Sequence, residues 1–147
     1  MTQIYNTSLE ISMRVLLLLN AANEPLNIDR MVYLDIFSLY SKQYGYGTEN
    51  LHGENKESAN EYTIRRAAID NSIKELLARG LINVDYSNKG YRFKIANTGT
   101  QICESINNEY ANKYSQNIKL VHEKIKNKSE NELMILLTNV SEVKANV

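Results

Sequence analysis

Apolar residues recur at three- and four-residue spacing along most of this chain. Two stretches break that rhythm: one polar and glycine-rich, one alternating. Thr7 and Glu10 have the spacing of a capping box, so a first helix is expected from Ser8 through "LEISMRVLLLLNAAN". Leu9, Met13, Leu16 and Leu17 form one face. Val15, Leu18 and Leu19 leave little polar surface, so this helix is expected to be buried on most sides, with Pro25 ending it. Asn27 then caps a second helix, "NIDRMVYLDIFSLYSK", with Asp29 favourably placed in its first turn. Ile28, Met31, Val32, Ile36 and Leu39 share a face there, and Asp35 falls among them.

Residues 44–60, "YGYGTENLHGENKESAN", read as a long loop. Loops longer than about 12 residues are usually functional or disordered. A third helix follows, "EYTIRRAAIDNSIKELLAR", closed by Gly80. "LINVDY" and "YRFKIA" around "SNKG" form a β-hairpin with its turn near Asn88 to Gly90. "NTGTQICESINNEYANKYSQNIKLVHEKIK" reads as one long helix, with a stripe of Ile102, Ile106, Tyr110, Tyr114, Val121 and Ile125. Ser129 and Glu132 open a last apolar helix, "LMILLTNV".

The order helix, helix, helix, hairpin, helix is that of a winged helix-turn-helix with additional C-terminal helices: mostly α with a small β-hairpin. Residues 1–97 form the expected winged-helix domain. Residues 98–147 form a helical extension that packs on it or on a partner. The 147 residues suit this size, and 43% apolar content is enough for a core. "VLLLLNAA" is too short to span a bilayer, and no signal peptide pattern precedes it, so a cytoplasmic location is expected. A single cysteine, Cys103, forms no internal disulfide and fits a reducing compartment.

Charge bears on the DNA question that a winged helix raises. The chain has 17 basic and 17 acidic side chains, so no global field draws a polyanion. With Ile69, Ile73, Leu76 and Leu77 inward, the third helix presents Ile64, Ala67, Ala68, Asn71, Lys74, Glu75 and Ala78 outward. Only Asn71 and Lys74 suit base reading, and Glu75 opposes them. Residues 61–97 hold seven Lys/Arg against four Asp/Glu, a local +3. Lys74 and the wing cations Lys89, Arg92 and Lys94 are the candidate DNA contacts. The wing would supply about three phosphate contacts, few for a stand-alone repressor. An alanine-lined face suits close packing against protein.

Asp35 on a buried face needs a partner, because an unpaired buried carboxylate costs several kcal/mol. Arg65 and Arg66 flank the inward face of the third helix, Arg65 about 40° from Ile69 on the helical wheel. A structural ion pair of Asp35 with Arg65 or Arg66 answers this; a helix or loop N–H, or a place at the solvent edge, answers it equally. Tyr33, Leu34, Phe37, Tyr40 and the "LLLL" run exceed the needs of one small core. Leu34, Phe37 and Tyr40, with Ile64, Ala67 and Asn71, are therefore candidate partner-interface residues. The alternative is that the C-terminal helices cover the apolar excess.

Catalytic and metal signatures are sparse. His52 and His122 are the only histidines, and with Cys103 they have no zinc-ligand spacing. His122 reads as a surface residue and Cys103 as packing. Phosphate-loop, GxGxxG and nucleophile-elbow patterns are missing from the sequence. No enzyme activity and no cofactor are expected.

The order of motifs resembles the middle components of bacterial three-component ABC systems, which include Lamassu-type anti-phage and anti-plasmid operons. Ser8-Leu9-Glu10 is followed by Leu26, Ile28, Arg30, Met31, Val32, Tyr33 and Asp35. Leu51-His52, Ser58, Glu61, Arg65 and Arg66 continue the pattern. The prolines common around the Leu-His pair in that family are missing. The resemblance covers residues 4 to about 100. It implies a non-catalytic subunit that binds an SMC-like ABC ATPase and bridges it to an effector, often a nuclease, with DNA contact weak or made only through the complex. The competing function is a winged-helix transcriptional regulator acting as a homodimer through its C-terminal helices.

Overall fold

A computed structural model describes residues 7–51 and 58–145. The elements are α1 (Ser8–Ala22), α2 (Ile28–Leu39), α3 (Ser58–Ala78), β1 (Ile82–Ser87), β2 (Gly90–Ile95), α4 (Asn97–Ser105), α5 (Glu109–Ile125) and α6 (Glu130–Ala145). The chain is thus mostly helical, with one two-stranded antiparallel hairpin among the described residues.

Local chemistry explains most of the boundaries. Thr7 Oγ1 accepts from the Glu10 N–H, and Asn27 Oδ1 accepts from the Arg30 N–H at 2.8 Å, so both helices start where a side chain satisfies an orphan donor. Helix α1 ends before Pro25: Asn23 takes a left-handed conformation, φ +54°, and closes it through its N–H to Leu19 O. Gly80, at φ +71°, ends α3 in the same way. Ser129 and Glu132 exchange both hydrogen bonds of a capping box at the start of α6.

The single long helix expected after the hairpin is in fact two. The chain breaks at Ile106–Asn108, where Asn108 Oδ1 accepts from the Ala111 N–H and starts α5 afresh. The third helix begins at Ser58 rather than Glu61, which shortens the expected loop.

Helices α1, α2, α3 and α5 surround the core, α1 and α2 each packing against both α3 and α5. Tyr114, Ile118, Val121 and Ile125 of α5 are fully buried, as are Leu133 and Leu137 of α6. The C-terminal helices therefore cover part of the apolar excess of α1 and α2, and α3 covers a comparable part. The hairpin aligns Ile82 with Ile95, Val84 with Phe93 and Tyr86 with Tyr91. Leu26, between α1 and α2, exchanges both backbone hydrogen bonds with Phe93, at 3.0 and 2.8 Å, and ties β2 to the helices. Gly99 lets α4 lie directly on the Leu81 carbonyl and the Ile95 side chain, where a Cβ would collide.

Candidate functional site

Asp35 sits at the meeting point of four helices. Arg14 of α1 reaches it with Nε at 3.2 Å from Oδ1 and Nη2 at 3.4 Å from Oδ2. Arg65 of α3 donates Nη1 to Oδ2 at 2.8 Å, and Tyr114 of α5 donates its hydroxyl to Oδ1 at 2.6 Å. Arg65 also donates to Glu61, which accepts from the Tyr40 hydroxyl. Burial alone would raise the Asp35 pKa. The two guanidinium groups and the Tyr114 hydroxyl outweigh that and hold it below the usual carboxylate range. The centre of the cluster is enclosed, with Arg14 and Asp35 both 2% exposed, so it ties the helices together, while Glu61 and Arg65 at its margin line a small cleft.

Arg66 does not share this site. Its side chain turns outward and pairs with Asp29 at 2.7 Å, where Asp29 also accepts from Tyr62. The Arg66 hydrogen bond is the main reason the Asp29 pKa is lowered. Three contributors escaped sequence reasoning. Tyr114 counted only as part of an apolar stripe, and Arg14 carried no role, although "SMRVLLLL" already placed it in a helix with almost no polar face. Arg30 donates to the carbonyls of Ile125 and Lys128 and to Glu130, clamping the end of α5 and the start of α6 onto α2.

Of the expected interface residues, three belong to the interior. Leu34 and Phe37 are 0% exposed and Tyr40 is 4% exposed, which corrects the expectation of a surface there. Helices α3 and α5 pack on α2, and Phe37 is enclosed by the rings of Tyr33, Tyr44 and Tyr46 at centroid distances of 4.8 to 6.0 Å. The segment after α2 folds back over it, its end held by Leu51 N–H to Leu39 O and by Ser41 Oγ to Glu49 O. His122 is also not a surface residue: it is buried on α5, with Nε2 3.0 Å from Glu24. His52 lies outside the described residues.

Ile64, Ala67 and Asn71 do face solvent, Ile64 with 72% of its surface exposed. They belong to an outward face of α3 that meets α1 across an open groove. The groove has a volume of about 710 Å³ and is floored by Leu16, Leu76 and Leu81, with Ile102 of α4 at its side. Ser12 donates to Ser72 across the gap at 3.2 Å. A smaller cleft of about 200 Å³, lined by Ile11, Glu61, Ile64, Arg65 and Ala68, shares Ile11 and Ala68 with the groove. Leu9, 73% exposed, also lines the groove. Glu75 and Arg79 on the rim pair with each other at 2.7 Å and leave little net charge. This surface suits an apolar segment of another polypeptide.

The candidate DNA contacts divide in two. Lys74 pairs with Asp70 at 3.3 Å and Arg92 with Asp85 at 2.7 Å. Lys89 and Lys94 are exposed on the hairpin. Cys103 is buried, which pushes its thiol up to about 11. Among the described residues no three His, Cys, Asp or Glu side chains are grouped to hold a metal ion. No described helix is long and apolar enough to cross a membrane.

No curated protein and no solved structure matches the chain. The family model for the ABC-three component (ABC-3C) system Middle Component 2 matches residues 4–146, nearly its full length. The chain therefore belongs to the Middle Component 2 family of ABC-three component systems.

Proposed function

We propose that this chain is a non-catalytic adaptor that binds the SMC-like ABC ATPase of its system and bridges it to an effector nuclease, in Lamassu-type immunity against phage or plasmid DNA. Membership in a multi-component ABC system implies protein partners. The observation that carries the reading is the open apolar groove between α1 and α3, with exposed Leu9 in its lining, exposed Ile64 in the adjoining cleft and a rim that is nearly neutral. Apolar surface of this kind is uncommon on a protein that works alone. The buried charge cluster around Asp35 ties four helices together, and its members Glu61 and Arg65, which line the smaller cleft, are hydrogen-bonded to each other.

The fold proposed for it is a winged helix with a C-terminal extension. Three helices followed by a hairpin support this, as does the Leu26 bridge, which adds a third strand-like contact to the wing. The division at residue 97 is a boundary in topology only, because Tyr114 of the extension completes the Asp35 cluster. A second reading, a homodimeric winged-helix transcriptional regulator, is favoured by the exposed Lys89 and Lys94 on the hairpin.

The test is copurification. The tagged chain, expressed with its neighbouring ATPase and effector genes, is expected to retain the ATPase. Ala68→Arg, which fills the groove where its two parts meet, is expected to lose it while keeping wild-type circular dichroism and melting. Retention of the ATPase by the folded variant would remove the groove from the proposal. Operator-selective DNA binding by the chain alone would favour the regulator.

A further inference from the structure

The hairpin changes character along its length. Its ladder sets Ile82 opposite Ile95, Val84 opposite Phe93 and Tyr86 opposite Tyr91, so these six side chains share one face. At the root of that face Ile82 and Phe93 are buried, 2% and 7% exposed. Nearer the turn Val84 is 47%, Tyr91 64% and Tyr86 68% exposed. The root therefore belongs to the core, and the outer half stands clear of the helices. The Tyr86 and Tyr91 rings lie with centroids 4.9 Å apart and planes at 56°. At that angle they cover each other only in part and leave ring surface open to another flat group.

Charge narrows the choice of occupant. Residues 82–95 hold Lys89, Arg92 and Lys94 against Asp85 alone, a net +2 on a chain whose total is zero. Arg92 is held by Asp85 at 2.7 Å, which also occupies the one carboxylate of the hairpin. Among the described residues no carboxylate pairs with Lys89 or Lys94. Lys89 lies in the turn and Lys94 three residues beyond Tyr91, so the two cations bracket the ring pair along the hairpin. Open rings between unpaired cations are complementary to a flexible polyanion that carries flat groups. An acidic polypeptide supplies the charge and makes no use of the rings. A duplex supplies both, but its base faces are covered by their neighbours.

We propose that the outer half of the hairpin binds single-stranded nucleic acid, with unpaired bases stacked on Tyr86 and Tyr91 and the flanking phosphates met by Lys89 and Lys94. Two cations alone hold a strand weakly, and stacking supplies the affinity and the preference for unpaired bases. The site is independent of the adaptor reading and separate from the α1–α3 groove, so either can fail without the other.

Fluorescence anisotropy of the full chain with a labelled oligothymidylate of about 12 nucleotides tests this, beside a duplex of about 30 base pairs. The single strand is expected to bind at least about tenfold tighter than the duplex. Two phosphate contacts give a slope of about −1.4 in log affinity against log salt for a single strand, and Lys89→Ala and Lys94→Ala should each remove about 0.7 of it. Tyr86→Ala and Tyr91→Ala are each expected to weaken binding about fivefold or more with the slope unchanged, because stacking releases no counterions. Tyr86→Phe and Tyr91→Phe keep the ring and are expected to bind like the wild type. All four positions are exposed, so circular dichroism should not change in any variant. An oligouridylate of the same length separates RNA from DNA: binding of either supports the site, and the tighter one names the strand. Failure to bind either strand at about 1 mM overturns the proposal, as does duplex binding equal to single-strand binding. So does an affinity untouched by both tyrosine-to-alanine variants, or phenylalanine variants as weak as the alanine ones. Displacement of the oligonucleotide by polyglutamate at equal charge would make this a site for an acidic polypeptide and would exclude the stacked strand.

Discussion

The Tyr114 hydroxyl donates a 2.6 Å hydrogen bond to Asp35 Oδ1 across 79 positions of sequence. That bond brings α5 into a cluster in which Arg14 and Arg65 already hold the same carboxylate. Removing the charge takes the paired carboxylate from enclosed Arg14 and leaves Arg65 with Glu61 alone. Breaking a buried pair in this way costs about 3–5 kcal/mol. Asp35→Asn, which preserves shape, is expected to lose stability on that scale in urea titration. Arg66→Ala, at the half-exposed pair with Asp29, is expected to cost less than about 1 kcal/mol. Equal losses from the two variants would mean that the buried cluster carries no special weight.

The same carboxylate sets an acid limit. Its folded-state pKa is depressed by Arg14 and Arg65 against the opposing effect of burial. A group of this kind contributes stability above its unfolded value, about 3.9, and loses it as pH falls toward the folded value. The Asp35 contribution is therefore expected to be constant from pH 8 to about pH 5 and to fall away below about pH 4. Urea midpoints measured across that range check this. The acid limb of Asp35→Asn should be shallower than that of the wild type. An unchanged limb would show that other carboxylates drive acid unfolding.

Rings and aliphatic groups that look alike in sequence separate by location. Phe37 is enclosed, so Phe37→Ala is expected to cost about 3–5 kcal/mol through the cavity it leaves. Ile64 is exposed, so Ile64→Asp is expected to change stability by no more than about 0.5 kcal/mol and to weaken ATPase capture instead. Thermal melts and copurification of the two variants give the comparison. Wild-type capture by a folded Ile64→Asp protein would take Ile64 out of the docking surface.

Local chemistry was legible in the sequence wherever a side chain acts on its own neighbourhood. The Asn27 cap, the left-handed Gly80, the Ser129–Glu132 box and the hairpin turn before Gly90 are of that kind. The face of α3 could be read as well, because 100° per residue separates Ile69 and Ile73 from Ala67 and Asn71. Asp35 was visible as a charge in need of a partner, and Arg65 as one candidate. Arg14 and Tyr114 were not, because their contacts depend on how α1 and α5 pack against α2. The burial of Leu34, Phe37 and Tyr40 has the same origin: sequence revealed an apolar excess but not which neighbours cover it. The break at Asn108 was obscured because the stripe from Ile102 to Tyr114 keeps helical spacing across it.

Binding to DNA should follow the cations that remain available. Lys74 and Arg92 are each held by a carboxylate of their own element or hairpin, while Lys89 and Lys94 are exposed. About two phosphate contacts correspond to a slope near −2 in log affinity against log salt. Duplex binding measured by fluorescence anisotropy across a salt series is therefore expected to be weak, of that slope, and indifferent to sequence. Lys89→Ala and Lys94→Ala should each reduce the slope by about one. The outward face of α3, with alanines at 67, 68 and 78 and a paired Glu75, supplies little to read a base edge. A slope of about −5 or steeper with preference for a palindrome would instead require a dimer presenting several more cations, and would make the regulator the better reading of this chain.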